Sequence, residues 1–188
     1  MNRPESNVSQ ESVIDGSSSL LVRVNRLIQD GQYGQALNLV HASGRDLTLK
    51  NAKGVCLLRL GKYDEAVSVY REIVFKQGCV WVRPEIPTIY KVNFATALLL
   101  AGQIEGGLSV LGQAMDEGHP GVVRLRQSIR RWKQSFTLWQ RIMWLFGGMN
   151  DAKSPLELDF LPGILDEGLI QERVAPEKDF AGGKRPAA

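Results

Sequence analysis

The residue types that carry out most enzyme chemistry are scattered along this sequence. The two histidines, His41 and His119, are far apart, and neither has a neighbour in the chain that completes a metal-binding or catalytic set. The runs GGLSVLG and FGGMND lack the preceding strand and the glycine spacing of a phosphate-binding loop. Carboxylates such as Glu72, Glu105 and Asp116 fit solvated helix positions. We therefore expect no catalytic residues, cofactor or metal, and no enzyme.

The two cysteines are Cys56, inside a predicted helix, and Cys79, in a predicted loop. A single disulfide is one interpretation, and two free thiols are favoured because there is no Cys-x-x-Cys pair. The 188 residues are 44% hydrophobic, which suits one globular domain. No apolar run approaches the roughly 20 residues that cross a bilayer, so we expect a cytoplasmic protein.

A basic, aromatic stretch is the strongest charge feature. Between Gly118 and Asn150 there are six basic residues and no acid. Within it, the run FTLWQRIMWLF (residues 136–146) is apolar around nearly the whole circumference of a helix, so it must be buried by something. Three interpretations are open: contact with the acidic tail of the same chain, an anionic membrane surface, or nucleic acid. The residues of this possible membrane or partner helix are Trp132, Trp139, Arg141, Trp144 and Phe146.

Three stretches of the chain align at Gly31, Gly61 and Gly102. At fixed distances around each glycine the residues agree in size and polarity, with a leucine four before it and a small residue five after it. A glycine after a helical run can take the left-handed conformation that ends a helix. A pattern held at so many offsets indicates one helix pair used three times. The small residues are Ala36, Ala66 and Gly107, and the leucines are Leu27, Leu57 and Leu98.

Helical spacing and capping residues place seven helices. Asp46 is expected to cap the third helix, and Pro120 to begin the seventh, which closes the end of the array. The predicted domains are a disordered lead over 1–17, a helical domain over 18–147, and an acidic tail over 148–188 that is partly docked and then disordered. The predicted helices are Ser19 to Gln29, Tyr33 to Ala42, Leu47 to Leu60, Tyr63 to Lys76, Glu85 to Ala101, Ile104 to Glu117 and Pro120 to Gln134.

The second copy, NAKGVCLLRLGKYDEAVSVYREIV, resembles a tetratricopeptide repeat. The third copy resembles it fairly well and the first more weakly. The resemblance implies an all-α, helix-turn-helix solenoid of about three repeats, with capping helices at the C-terminal end and an extended tail. It also implies a scaffold or adaptor whose work is to bind another protein.

In the family register, the first helix of each pair lines a concave groove. That groove is mostly apolar here, and the positive charges with which some members clamp a terminal carboxylate are missing. The resemblance therefore implies apolar burial of a partner segment, with asparagines binding the partner's backbone. The implied groove residues are Asn25, Asn51, Val55, Leu58, Val92, Asn93, Thr96 and Leu99.

The occupant of this groove is open at the level of sequence. It is a protein or peptide partner, the chain's own tail around Phe160, or the loop around Trp81 that is inserted between the second and third copies. The main rival function is a peripheral membrane platform anchored by the helix at 136–146. A homo-oligomer formed through the same surface is a further alternative, and nucleic acid is the least favoured partner.

Overall fold

Helices make up most of the chain that the structure describes. The computed structural model describes residues 8–40, 46–76, 78, 81–114, 116–136 and 156–165, with side chains in the first helix from Ser19 onward. Within these ranges the fold is all-α, as predicted, and extended pairing is limited to one isolated bridge between Phe75 and Val82. The helices are α1 (Val8–Gln29), α2 (Tyr33–Val40), α3 (Leu47–Arg59), α4 (Tyr63–Val74), α5 (Thr88–Leu100), α6 (Ile104–Gly112) and α7 (Pro120–Gln134).

The capping residues act as predicted at two helices. The Asp46 carboxylate accepts hydrogen bonds from the backbone N–H groups of Thr48, at 2.8 Å, and Leu49, at 3.4 Å, at the start of α3. Helix α7 has the predicted bounds and begins at Pro120, whose missing N–H costs nothing at a first helical position.

Three other boundaries differ from the prediction by three residues or more. Helix α1 begins at Val8, so residues 8–17 are helical where a disordered lead was predicted. Once the C-terminal turns of a helix are held by packing, each residue added at its N-terminal end gains one backbone hydrogen bond, even without apolar side chains to bury. Helix α5 begins after Pro87 instead of at Glu85, because a residue before proline avoids the helical conformation. Helix α6 ends at Gly112 instead of Glu117, since glycine lowers helix stability.

The three aligned glycines lie at the three turns between paired helices. Gly31, Gly61 and Gly102 have φ angles of 74°, 74° and 78°. At Gly61 the glycine N–H donates to the Leu58 carbonyl at 3.2 Å, and the next N–H donates back to Leu57 at 2.9 Å. The same two bonds recur at the other two glycines. This is the Schellman ending of a helix, and it turns the chain back so that the next helix packs against the previous one.

Small residues allow the paired helices to lie close together. A Cβ on Gly54 of α3 would come within 2.4 Å of the Tyr70 ring from α4. A Cβ on Gly107 of α6 would lie 2.6 Å from Cγ of Leu99 in α5. Ala66 is 0% exposed at the position equivalent to Gly107 in the second pair. Larger side chains at these positions would force the helix axes apart.

The first helices of successive pairs contact one another in order, α1 with α3, α3 with α5, and α5 with α7. Helices α2, α4 and α6 each pack against the first helix of their own pair, and α2 and α4 also contact the first helix of the next pair. The layer of α1, α3, α5 and α7 therefore presents one continuous surface, on which the tail segment described below lies.

We predict that Gly61→Ala lowers the free energy of unfolding by about 1 to 2 kcal/mol, because an L-residue with a side chain is strained at positive φ. No atom lies within 4 Å of the added Cβ, so the cost is one of backbone conformation alone. Urea unfolding of the purified chain measures it. Gly34→Ala, in α2 with equally open space and no positive φ, is the control and is expected to cause no loss.

Candidate functional site

A segment of the tail, residues 156–165, lies against α3, α5 and α7; we call it the docked segment. It follows no helical or strand pattern. Leu156 is 6% exposed and Gly163 is buried, whereas Leu161 is 65% exposed. Of the occupants that the sequence left open for the groove, the tail is the one that the structure places there.

The backbone of Ile164 is held on both sides by one asparagine. The Ile164 N–H donates to Oδ1 of Asn93 at 2.8 Å, and Nδ2 of Asn93 donates to the Ile164 carbonyl at 2.8 Å. Nδ2 of Asn51 donates to the same carbonyl at 3.3 Å. An amide that pairs with both polar groups of one residue recognises peptide backbone whatever the side chain is.

These two asparagines belong to a buried polar network. Oδ1 of Asn51 accepts from the Tyr70 hydroxyl at 3.1 Å and from Nδ2 of Asn93 at 2.9 Å. Burial raises the pKa of the Tyr70 phenol well above its usual value, so the hydroxyl stays a donor. Because Asn51 Oδ1 must face two donors, the orientation of both amides is set, and Asn93 Oδ1 is left facing the docked segment.

Gly163 lies directly on Val55. A Cβ built on Gly163 would be 3.1 Å from Cα, Cγ1 and Cγ2 of Val55, and its φ is +83°. Both the space and the backbone conformation therefore require glycine here. Val55 is 0% exposed beneath it.

The Ile164 side chain fits into a gap at the start of α7. A Cβ on Gly121 would lie 2.6 Å from Cδ1 of Ile164 and 3.2 Å from Cγ1 of Val92, so the missing side chain of Gly121 creates this space. The helix begins beside it because Nδ1 of His119 accepts from the Gly121 N–H at 3.1 Å. His119 thus serves as the cap of α7.

Arg59 was missed by the sequence analysis and binds the docked segment most directly after the asparagines. Its Nε donates to the Pro162 carbonyl at 3.3 Å and its Nη2 donates to the Gly163 carbonyl at 3.2 Å. Its guanidinium also lies 5.4 Å from the centre of the Tyr33 ring. Arg59 is the last residue of α3, where the helix dipole alone favours a cation. Its position in the sequence therefore gives no indication that it binds the tail.

A second attachment point joins the docked segment to α7. The Arg131 guanidinium lies 2.6 Å from the Asp159 carboxylate, which also accepts from the Ser128 hydroxyl at 3.0 Å. Arg131 and then Ser128 lower the pKa of Asp159 by stabilising its charged form. Asp159 of the acidic tail thus pairs with Arg131 of the basic stretch. This contact agrees with the interpretation in which the basic stretch contacts the acidic tail of the same chain.

A cavity of about 450 Å³ lies at the C-terminal end of the docked segment. Two cationic side chains, Arg59 and Arg124, line it together with the polar Gln29. Arg124 is exposed. The remaining lining residues are Ile28, Gly121, Phe160, Leu161, Gly163, Ile164 and Leu165.

The other implied groove residues have different surroundings. The Thr96 hydroxyl donates to the Val92 carbonyl of its own helix at 2.8 Å, so it is not directed at an occupant. Leu99 packs towards Gly107 within its own pair, and Leu58 is 1% exposed in the core. Oδ1 of Asn25 is buried and has no hydrogen-bond partner among the described residues. Of the implied groove residues, Asn51, Val55 and Asn93 meet the docked segment, and Val92 lies beside Gly121 at the same place.

Trp132, assigned from sequence to a possible membrane or partner helix, is 7% exposed and packs edge-to-face on Phe136 with ring centres 4.5 Å apart. It faces the core because it lies four residues after Ser128 and three after Ile129 on the buried face of α7. Trp139, Arg141, Trp144 and Phe146 lie outside the described residues.

The structure describes one of the two cysteines. Cys56 is a free, buried thiol, and burial raises its pKa to about 11, so it is protonated near neutral pH; Cys79 lies outside the described residues. Among the described residues no three His, Cys, Asp or Glu side chains are grouped as metal ligands. None of the described helices is long and apolar enough to span a membrane.

Comparisons with protein-family models, with curated proteins and with solved structures find no match to this chain. The geometry of the groove and its occupant is therefore the basis of the functional argument.

We predict that Asn93→Ala releases the docked segment. The substitution removes both hydrogen bonds to Ile164 and is expected to lower the free energy of unfolding by about 1 to 3 kcal/mol. Amide hydrogen exchange at Ile164 should accelerate at least about tenfold, since its N–H loses its acceptor. Asn38→Ala, at an exposed position of α2, is the matched control. Unchanged exchange at Ile164 in Asn93→Ala would contradict this account of the site.

The Asp159 attachment should depend on pH. Its folded-state pKa is lowered, so its stabilisation is fully present above the unfolded-state pKa, near 4, and is lost as pH falls through the folded-state value. The Tm difference between the wild type and Asp159→Asn is therefore expected to be present at pH 7 and to vanish in acid. Glu157→Gln, which removes an exposed charge from the same segment, is the control and should show no such pH-dependent difference.

Proposed function

We propose that this chain is a non-catalytic binding protein of tetratricopeptide-like architecture that holds a non-helical segment of a partner protein in the groove formed by α3, α5 and α7. Three helix pairs closed by the same glycine ending support the repeat architecture. The continuous contacts of α1, α3, α5 and α7 support a solenoid-like layer on which a segment can lie.

The observation that carries the proposal is the two-sided pairing of Asn93 with the Ile164 backbone. Side chains from α3 and α5 supply donors and an acceptor for an irregular segment, and the apolar surfaces of Val55 and Val92 lie beside them. This combination suits a groove that binds main chain and buries small apolar groups. The docked segment is the occupant of that groove within the chain.

Occupation from within the chain sets the condition for binding a partner. A tethered segment has an effective concentration in the millimolar range, so a partner must bind more tightly than the docked segment or the segment must first be loosened. Binding of a partner is therefore expected to be competitive with residues 156–165. Affinity arises from the backbone contacts and from apolar burial, without chemistry on the partner.

The proposal is tested with a labelled synthetic peptide of residues 156–165, LELDFLPGIL, and the full-length chain. In Ile164→Asp the shorter, charged side chain loses the apolar contact beside Gly121, so the docked segment is expected to leave the groove while the groove residues stay unchanged. Fluorescence anisotropy is expected to show at least about tenfold tighter peptide binding by Ile164→Asp than by the wild type.

The control for the groove itself is the double variant Ile164→Asp with Asn93→Ala, which should lose this gain because the backbone pairing is removed. Circular dichroism must show wild-type helicity in each variant. A helical Ile164→Asp chain that binds the peptide no better than the wild type would exclude the groove as a binding site.

A further inference from the structure

The contacts of the docked segment differ in how much they depend on its sequence. The bonds to Asn93, Asn51 and Arg59 go to backbone atoms, and they accept many sequences. Four other features depend on which residue is present at a given position of the segment. From them we infer that the groove selects a partner segment of the pattern acid-x-x-Pro-Gly-aliphatic, followed by further acidic residues; this inference rests on the proposed function.

The first feature is the bend at Pro162 and Gly163. Proline fixes its own φ near −65°, and the glycine φ of +83° is the value that the third residue of a type II turn requires. The bend aims the Pro162 and Gly163 carbonyls at Arg59. A Pro-Gly pair therefore holds the bound conformation before binding, which lowers the entropy cost of ordering the segment.

The second feature is the contact of Gly163 with Val55. Any side chain at this position would approach three atoms of Val55 to 3.1 Å in addition to being strained at positive φ. The groove floor consists here of the α3 backbone and a fully buried valine, so it has little freedom to move away. Glycine is the residue that this position accepts.

The third feature is the gap between Gly121 and Val92. It accommodates the Ile164 side chain up to its terminal Cδ1 atom. An aliphatic side chain of this size fills the space beside Gly121, and a shorter or charged side chain loses this apolar contact.

The fourth feature is positive charge at both ends of the segment. Arg131 pairs with Asp159, five residues before the isoleucine, and Arg59 and Arg124 line the cavity beside Leu165. An acidic residue is thus favoured three residues before the proline, and acidic residues are also favoured after Ile164 and Leu165. The chain's own sequence continues with Asp166 and Glu167, which fits the same charge requirement.

These four requirements define the partner: a protein that carries this acidic Pro-Gly-aliphatic segment outside regular secondary structure. The test uses the full-length Ile164→Asp chain and labelled 15-residue peptides with the sequence of residues 156–170, LELDFLPGILDEGLI. The parent peptide is compared with peptides carrying Gly163→Ala, Ile164→Ala or Asp159→Asn. The control peptide carries Leu161→Ala, since Leu161 is largely exposed in the docked segment.

We expect Gly163→Ala and Ile164→Ala to raise the Kd at least about tenfold, Asp159→Asn to raise it about two- to fivefold at low salt, and Leu161→Ala to leave it within about twofold. Equal affinity for the parent and the Gly163→Ala peptides would overturn the inferred selectivity while leaving the proposed function intact. Failure of the parent peptide to bind a helical chain would overturn both.

Two further measurements keep the outcome interpretable. Gly163→Ala in the full-length chain is a second means of emptying the groove and is used if Ile164→Asp loses helicity. Hydrogen exchange across residues 156–165 of the wild type should accelerate when excess parent peptide is added, because the peptide displaces the docked segment. Light scattering that showed a dimer with exchanged segments, with no displacement by peptide, would identify a second copy of the chain as the occupant and overturn the inferred partner.

Discussion

The pairing of the Asn93 amide with the backbone of Ile164 is the interaction on which the arrangement of the tail depends. Asn93 is 0% exposed, so an amide left without partners there would cost a large part of its desolvation free energy. Tyr70 and Asn51 fix its orientation from below, and the docked segment completes the set from above. The core of the second and third helix pairs and the tail are thereby joined in one hydrogen-bonded network.

The helical framework was predictable because its signals are local. Each glycine ending depends on a few consecutive residues, and the same is true of the Asp46 cap and of Pro120 at the start of α7. The early start of α1 was not predictable, because residues 8–17 show no apolar periodicity and their helix continues from a packed C-terminal part. The C-terminal end of α6 at Gly112 depends on whether tertiary packing compensates for the low helix propensity of the residues there. The sequence alone does not show which of the two effects is larger.

The site was only partly predictable. Asn51 and Asn93 were expected to bind the backbone of a partner, which stays a prediction; in the structure they bind the backbone of the chain's own Ile164. Arg59 lies 103 residues from Pro162 and Ser128 lies 31 from Asp159, and no periodicity links such distant positions. Gly121 carried no signal at all, because its role is the space that it leaves for a side chain from another part of the chain. Contacts of this kind require the folded arrangement.

Arg59 connects the docked segment to the first helix pair. Its guanidinium holds two carbonyls of the docked segment and at the same time lies over the Tyr33 ring at the start of α2. Loss of the segment would remove two of the hydrogen bonds that position this guanidinium, so we expect the contact between the first and second helix pairs to change with the occupancy of the groove. By thermodynamic reciprocity, a ligand that shifts Tyr33 alters the affinity of the groove by the same factor. The position of Tyr33 in the first helix pair and the occupancy of the groove are thus connected through the single side chain of Arg59.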